Sequence, residues 1–138
     1  MSKRYTLALV ALVALAVATG ALAATPTLTI NLKGGLVGNK AYKACGLTHH
    51  YRLFHRGRAI AIEGVLTPAL TGFRVKLKVK QCLHGRFTTI WVGSAHERRD
   101  GSYRGAFVPH HNGPFFVRAY AHIGARTIKS DKRYFQIK

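Results

Sequence analysis

The 138-residue sequence contains 22 lysines and arginines against four acidic residues, which gives a formal net charge of +18. With so few carboxylates, and none of them paired, the chain lacks the two-acid arrangement that glycoside hydrolysis needs. So strong a positive field predicts an anionic partner such as an acidic glycan, a wall phosphopolymer, a nucleic acid or an anionic lipid surface. The alternative is that the charge is incidental and keeps an exported protein soluble.

The first 23 residues have the pattern of a secretory signal peptide. Lys3 and Arg4 precede an uncharged run, residues 5–17, and Ala21-Leu22-Ala23 supplies the small residues of a cleavage site. The apolar run is shorter than the roughly 20 residues of a membrane span, so a retained anchor is the weaker reading. We therefore expect a cleaved signal peptide, residues 1–23, an extracellular or cell-envelope location, and a mature chain with no membrane span.

The segment 24–48 is predicted to contain one strand and then an irregular stretch. Apolar and polar residues alternate over 27–32, and the strand is expected to end at Gly34-Gly35. From Gly34 to Leu47 the chain is rich in glycine and has no clear period. An even number of cysteines in an exported chain favours a disulfide between Cys45 and Cys82, rather than free thiols or an intermolecular bridge. Closing a loop of roughly 37 residues would stabilise the fold by about 3–4 kcal/mol.

The rest of the chain, residues 49–138, reads as a series of short strands. Alternating runs are separated by turn signals such as His84-Gly85 and Asp100-Gly101, and no segment has a convincing helical period. Pro68 ends one strand because proline cannot donate to a sheet ladder. The predicted strands cover 49–54, 59–66, 73–82, 86–92, 94–97, 102–108, 114–123 and part of 126–138.

The order of these segments resembles an immunoglobulin-like, fibronectin-type-III-like module of secreted bacterial proteins. The resemblance covers about residues 49–138. It is carried by AIEGVLTPA (61–69), FRVKLKVKQC (73–82), RFTTIWVGS (86–94), RDGSYRGAFVP (99–109), GPFFVRAYA (113–121) and SDKRYF (130–135). It implies an all-β, two-sheet immunoglobulin-like sandwich of seven to nine strands, with a binding or spacer role and no catalytic residues.

Strand alternation predicts one basic face. In 73–80 the apolar residues Phe73, Val75, Leu77 and Val79 would face the core, and the residues between them would face outward. The third and sixth strands of an immunoglobulin-like sandwich are neighbours, so 73–82 should lie beside 114–123. The predicted polyanion-binding residues are Arg74, Lys76, Lys78, Lys80, Arg118 and Tyr120, with Phe116 and His122 beside them and Lys132, Tyr134 and Lys138 at the far edge. The alternative is a solvated sheet face whose charges prevent aggregation.

The sequence predicts neither a metal site nor catalysis. Eight histidines are present, including the pairs His49-His50 and His110-His111, but no H-x-x-x-H or C-x-x-C spacing accompanies them. The serines lack a nucleophile-elbow context, and a disulfide-bonded Cys82 is no nucleophile. No cofactor is expected, and a histidine-based metal-binding protein is the third hypothesis. Since histidine titrates near pH 6.5, the surface should become more cationic in acid.

We therefore expect an exported, non-catalytic, single-domain protein that binds an anionic polymer through its basic sheet face. A nucleic acid is possible as the polymer but is not favoured over glycans. The alternative is a structural or protein-interaction module of the cell envelope, whose partner is an envelope protein and whose charge is incidental.

Overall fold

The computed structural model describes residues 25–138, except for the side chains of residues 37–40, 42 and 49. The predicted signal peptide lies outside the described residues. No helix in the described part of the chain is long and apolar enough to cross a membrane. Residues 25–138 form twelve strands: β1 (Thr27–Leu28), β2 (Asn31–Lys33), β3 (Leu36–Ala44), β4 (Leu47–Phe54), β5 (Ile60–Thr67), β6 (Arg74–Leu83), β7 (Arg86–Ser94), β8 (His96–Glu97), β9 (Ser102–Phe107), β10 (Gly113–Ile123), β11 (Arg126–Lys129) and β12 (Arg133–Ile137).

The strands form the two sheets of an immunoglobulin-like sandwich, as predicted. In the first sheet β5 pairs with β1 and β2 on one side and with β9 on the other, and β8 follows β9. The second sheet has the order β3-β4-β12-β10-β6-β7, with β11 also on β10. If β1, β5, β6, β8, β9, β10 and β12 are taken as strands A to G, the sheets are A-B-E-D and G-F-C, the immunoglobulin connectivity, and β7 extends the second sheet next to C.

The segment between Gly34 and Leu47 is not irregular, and this part of the sequence prediction is wrong. It forms β3, which pairs antiparallel with β4 and has a bulge between Val37 and Ala41. The bulge interrupts the alternation that would have indicated a strand. Cys45 and Gly46 join the two strands as a two-residue turn in which both residues have positive φ, 49° and 76°, as the tight hairpin turn requires. β4 then pairs parallel with β12, so this hairpin is part of the second sheet.

The core lies between the two sheets and has the inward faces that alternation predicted. The core side chains of β6 and β10, together with that of Phe73 just before β6, are at most 5% exposed: Phe73, Val75, Leu77, Val79, Phe115, Val117, Ala119 and Ala121. Ile60, Ile62, Leu66, Tyr103 and Phe107 face them from the first sheet. Phe115 stacks on Phe135 with their ring centroids 5.3 Å apart. Burial of each large side chain contributes about 1.5–3 kcal/mol, so this core stabilises the position of every outward residue on the same strands.

Polar contacts close one open side of the sandwich. Arg52 of β4 donates from Nη1 to the Leu32 carbonyl at 2.7 Å, and Arg133 of β12 donates from Nε to the Ile30 carbonyl at 3.0 Å. Both bonds join the second sheet to the β1–β2 segment of the first. The Tyr103 hydroxyl donates to the Thr29 carbonyl at 2.6 Å, and its burial raises the pKa of Tyr103 well above the ordinary value. Arg52 and Arg133 thus have structural roles.

Candidate polyanion-binding face

Strands β6 and β10 are neighbours, which confirms the predicted adjacency. They pair antiparallel over eight residues, and four outward residues of β6 are directly opposite outward residues of β10. The pairs are Arg74 with His122, Lys76 with Tyr120, Lys78 with Arg118, and Lys80 with Phe116. The six predicted binding residues therefore lie on one surface, the outer face of the second sheet.

Lys129 extends this surface, although the sequence analysis did not include it. β11 pairs with β10 so that Lys129 is opposite Tyr120 on the side away from Lys76. One row across the sheet therefore reads Ser94, Lys76, Tyr120, Lys129. We use the term basic face for Arg74, Lys76, Lys78, Lys80, Arg118, Tyr120 and Lys129. The sequence analysis treated 126–138 as one segment, so it did not recognise β11 as a separate strand whose alternation assigns Lys129 to this face.

Two contacts hold the centre of the basic face in place. The Nζ atom of Lys78 lies 4.7 Å from the centroid of the Tyr120 ring, a cation–π contact of about 0.5–1 kcal/mol at an exposed site. The Nε atom of Arg118 donates to the Ser130 carbonyl at 2.7 Å. Ser130 is buried, and its hydroxyl accepts from the Ala119 amide at 2.9 Å. The position of Arg118 is thus stabilised by Ser130, which follows β11 and is itself bonded to β10.

The carboxylates that form salt bridges are placed away from the centre of this face. Glu63, on the outer side of the first sheet, pairs with Lys33 at 3.2 Å and with Arg104 at 2.7 Å. Hydrogen bonds from these two cations hold the pKa of Glu63 below its ordinary value. Glu97 accepts from the Val75 amide at 2.6 Å and lies 3.9 Å from Arg74, at the end of the face.

A third carboxylate, that of Asp100, is engaged outside the basic face. Asp100 accepts hydrogen bonds from the amide and hydroxyl of Ser102, which lower its pKa. Among residues 25–138, no carboxylate comes within 4.0 Å of the amines of Lys76, Lys78 and Lys129. The positive charge in the middle of the basic face is therefore available to an external anion.

Near Lys80, the outer surface of the second sheet is covered by aromatic side chains. Phe116 faces outward as predicted, yet it is only 4% exposed, because its ring packs 4.8 Å from Phe87 and 5.6 Å from Tyr134. Tyr51 of β4 meets Tyr134 edge to face at 5.9 Å. We call Tyr51, Phe87, Phe116 and Tyr134 the outer aromatic cluster. The sequence analysis treated Phe116 as part of an exposed aromatic surface, and the structure corrects this.

The predicted disulfide is present and ties the hairpin to this region. Cys45, in the β3–β4 turn, bonds to Cys82 of β6, and their Cα atoms are 5.9 Å apart. Cys82 pairs with Phe87, so it alternates to the outer side of the second sheet together with Lys78 and Lys80. The bond therefore anchors the β3–β4 turn next to the outer aromatic cluster. Lys80 lies at the boundary of the two regions, with Nζ 5.8 Å from the Phe116 centroid, and Lys132 approaches the same ring at 5.0 Å.

The histidines whose side chains the structure describes lie at separate places on the surface. Within the described ranges, no group of three or more histidine, cysteine or acidic side chains is placed to hold a metal ion. His122 is on the basic face next to Arg74, and its Nδ1 lies 3.1 Å from the Thr127 hydroxyl.

Comparison with known proteins shows a remote similarity. No protein-family model matches the chain, and no curated protein matches it at a significant level. Two solved structures of the CARDB domain of a Pyrococcus furiosus protein are similar to it. The solution NMR structure matches with a TM-score of 0.42 and 10% sequence identity, over 81% of this chain and 94% of that chain. The crystal structure, in complex with di-metal ions, matches with a TM-score of 0.39 and 11% identity, over 82% of this chain and 89% of that one.

Proposed function

We propose that this protein is a non-catalytic, exported binding module that holds an anionic polymer against its basic face. The observation that carries the proposal is the β10 register. Pairing with β6 and β11 brings Lys76, Lys78, Arg118 and Lys129 around the Tyr120 ring. These cations come from three strands that are separate in sequence, and among the described residues no carboxylate forms a salt bridge with them. Export is the expectation from the signal-peptide pattern of residues 1–23.

The geometry suits a linear polymer better than a small anion. Side chains on one face of a strand recur about every 7 Å, and neighbouring strands are about 4.8 Å apart, so the cations form an open lattice on a flat sheet. Such a lattice has no enclosed pocket that could surround a single small ion. A chain with repeated negative charges can contact several lysines at once and release the counterions that each charge had bound.

Acidic glycans and phosphopolymers are the favoured ligands. Nucleic acid binding by surfaces of this kind depends on stacked bases, with about 1–3 kcal/mol from each base on an aromatic ring. Phe116 is buried and Tyr134 packs against Phe116 and Tyr51, which leaves Tyr120 as the ring at the centre of the exposed part of the face. One ring can stack on one base or one sugar. Recognition is then dominated by charge. Acidic glycans and phosphopolymers can be bound by charge alone, without a row of aromatic rings on the protein.

Affinity for such polymers is expected to fall steeply with salt. With about five cations in contact, the slope of log K against log salt should be about −3.5 for a single-stranded polyanion, an affinity loss of about a hundredfold between 50 and 200 mM. The measurement is binding to heparin, inorganic polyphosphate and oligothymidylate over a salt series. The proposal predicts heparin and polyphosphate affinities at least equal to that of the oligonucleotide. A slope near zero for all three polymers would contradict it.

A second role, docking of an envelope protein, is favoured by a different surface. That surface is the edge of the second sheet at β7, which pairs with β6 alone among the described strands. The residues of β7 are not part of the basic face.

A further inference from the structure

Strand β7 lies at one edge of the second sheet. It pairs with β6 on one side, and no strand within residues 25–138 pairs with its other side. Long edge strands are usually blunted by charges or proline, because their free amide and carbonyl groups can pair with another chain. After Arg86, the eight residues 87–94 (FTTIWVGS) contain neither. A bulge at Ile90 interrupts the strand, a feature that can also discourage pairing, but the residues on either side of it keep main-chain groups with which another strand can pair.

A groove lies beside this edge at Ile90 and Trp91. Its lining is apolar on both walls and also includes the polar residues Gln81, His110, His111 and Asn112. β8 has two residues and pairs with β9 at Tyr103 and Arg104, so the following part of β9, up to Phe107, has no neighbour on that side among the described strands. The sandwich is open there, and the opening forms a groove of about 850 Å³. Ile90, Trp91 and Leu83 line it from the second sheet, and Phe107 and Val108 line it from the first.

The walls of the groove offer apolar contacts to solvent. The Trp91 ring packs 5.3 Å from the Phe107 ring at the margin of the core. Ile90 is the extra residue of a bulge and is 38% exposed, and Val108 on the opposite wall is 39% exposed. An inserted side chain would thus meet apolar surface from both sheets.

We propose that β7 pairs with an extended segment of an acidic partner protein in which apolar and acidic residues alternate. An added strand continues the second sheet by main-chain hydrogen bonds, and its side chains alternate between the groove and the outer face. The apolar side chains contact Ile90, Trp91 and Val108. The acidic side chains lie beside Thr89, Val92 and Ser94 of β7.

Charge complementarity selects this partner. Thr89, Val92 and Ser94 are directly opposite Lys80, Lys78 and Lys76 of β6. The added strand and β6 lie on either side of β7, so their backbones are about 10 Å apart, or two strand spacings. A glutamate side chain and a lysine side chain are long enough to meet across this distance. A second copy of this chain would bring another lysine row and another large excess of positive charge to the same edge, without an acid between the two rows.

The test uses two synthetic nine-residue peptides, one alternating glutamate with valine or isoleucine and one with the same residues in two blocks. Trp91 is the single tryptophan of the chain and lies at the groove, so its fluorescence reports binding directly. The alternating peptide should bind about tenfold or more tightly than the block peptide and shift the Trp91 emission to shorter wavelength. Equal binding of the two peptides would overturn the proposal, because charge alone would then explain it.

The variants Ile90→Lys and Val108→Lys change opposite walls of the groove, and Val65→Lys, at a residue 40% exposed on the outer side of the first sheet, is the matched control. Each adds a positive charge, which would strengthen a purely electrostatic association. We expect about a tenfold or greater loss of affinity for the alternating peptide in both groove variants and no loss in the control.

Other outcomes are decisive as well. Equal effects of all three variants would overturn the proposal. A dimer in sedimentation velocity that Ile90→Lys dissociates would also overturn it, since the occupant would then be a second copy. Heparin binding by Ile90→Lys should not weaken, since the variant adds a positive charge and leaves the basic face intact, so failure of this proposal can be told from failure of the proposed function.

Discussion

Replacing both Cys45 and Cys82 by serine is expected to lower the free energy of unfolding by about 3–4 kcal/mol, and the melting temperature by roughly 10–20 °C. The bond closes a loop of 37 residues, and losing it gives that loop more freedom in the unfolded chain. In the folded protein it anchors the β3–β4 turn next to the outer aromatic cluster. The variant should therefore also bind a hydrophobic dye more strongly, as Phe87 and Phe116 become accessible.

Reduction of the unmodified protein provides the matched control for this variant. Thermal unfolding with a reductant should reproduce the melting temperature of the serine variant, and the variant itself should not respond to the reductant. A loss of less than about 1 kcal/mol would contradict the expectation. It would mean that packing on Tyr51 and Tyr134, together with the pairing of β4 with β12, holds the hairpin without the covalent bond.

The second large effect is expected on polymer binding. Changing Lys76, Lys78 and Lys129 together to glutamine removes three cations around Tyr120 and leaves Arg118 with its hydrogen bond to Ser130. The slope of log K for heparin against log salt should become shallower by about two, since each lost phosphate or sulfate contact contributes about 0.7–0.9. Affinity at low salt should fall in parallel, and the melting temperature should change little because these side chains lie outside the core.

A variant with the same loss of charge distinguishes the face from the net charge. Arg56 and Arg58, in the loop between β4 and β5, and Arg86, at the start of β7, are exposed and lie away from the β10–β11 pair. Their joint change to glutamine should leave the slope nearly unchanged. If both triple variants lose affinity equally, the polymer responds to the overall field of the protein, and the basic face is a solvated sheet surface.

The basic face could be predicted because it depends on two regular features. The alternation of FRVKLKVK assigns Val75, Leu77 and Val79 to the core and the lysines to the outside, whatever the partner strand is. The neighbouring position of β6 and β10 then follows from immunoglobulin connectivity, which the order of the segments resembled. The local pattern and the fold class together were sufficient to predict that Lys76 and Tyr120 lie on the same face of neighbouring strands.

The covered part of the surface could not be predicted in the same way. Burial of Phe116 depends on Phe87 and Tyr134, which lie on two other strands. The hairpin that adds Tyr51 to the cluster was not recognised either, because the period of β3 is interrupted by its bulge. One local signal did exist. Cys45-Gly46 forms the same positive-φ turn as His84-Gly85, which was recognised, and the glycine at the second position is typical of such hairpins. The structural roles of Arg52 and Arg133 depend on carbonyl groups of β1 and β2, and residue type alone could not indicate them.

The most direct test of the basic face is a titration of the isotope-labelled protein with a heparin hexasaccharide at low salt, followed by backbone amide NMR shifts. The account predicts that the largest shifts occur on β6, β10 and β11, around Lys76, Lys78, Tyr120 and Lys129. It also predicts that the Glu63–Arg104 region of the first sheet stays unaffected. Largest shifts in the Arg56–Arg58 and Arg98–Arg99 loops, with none around Tyr120, would contradict it.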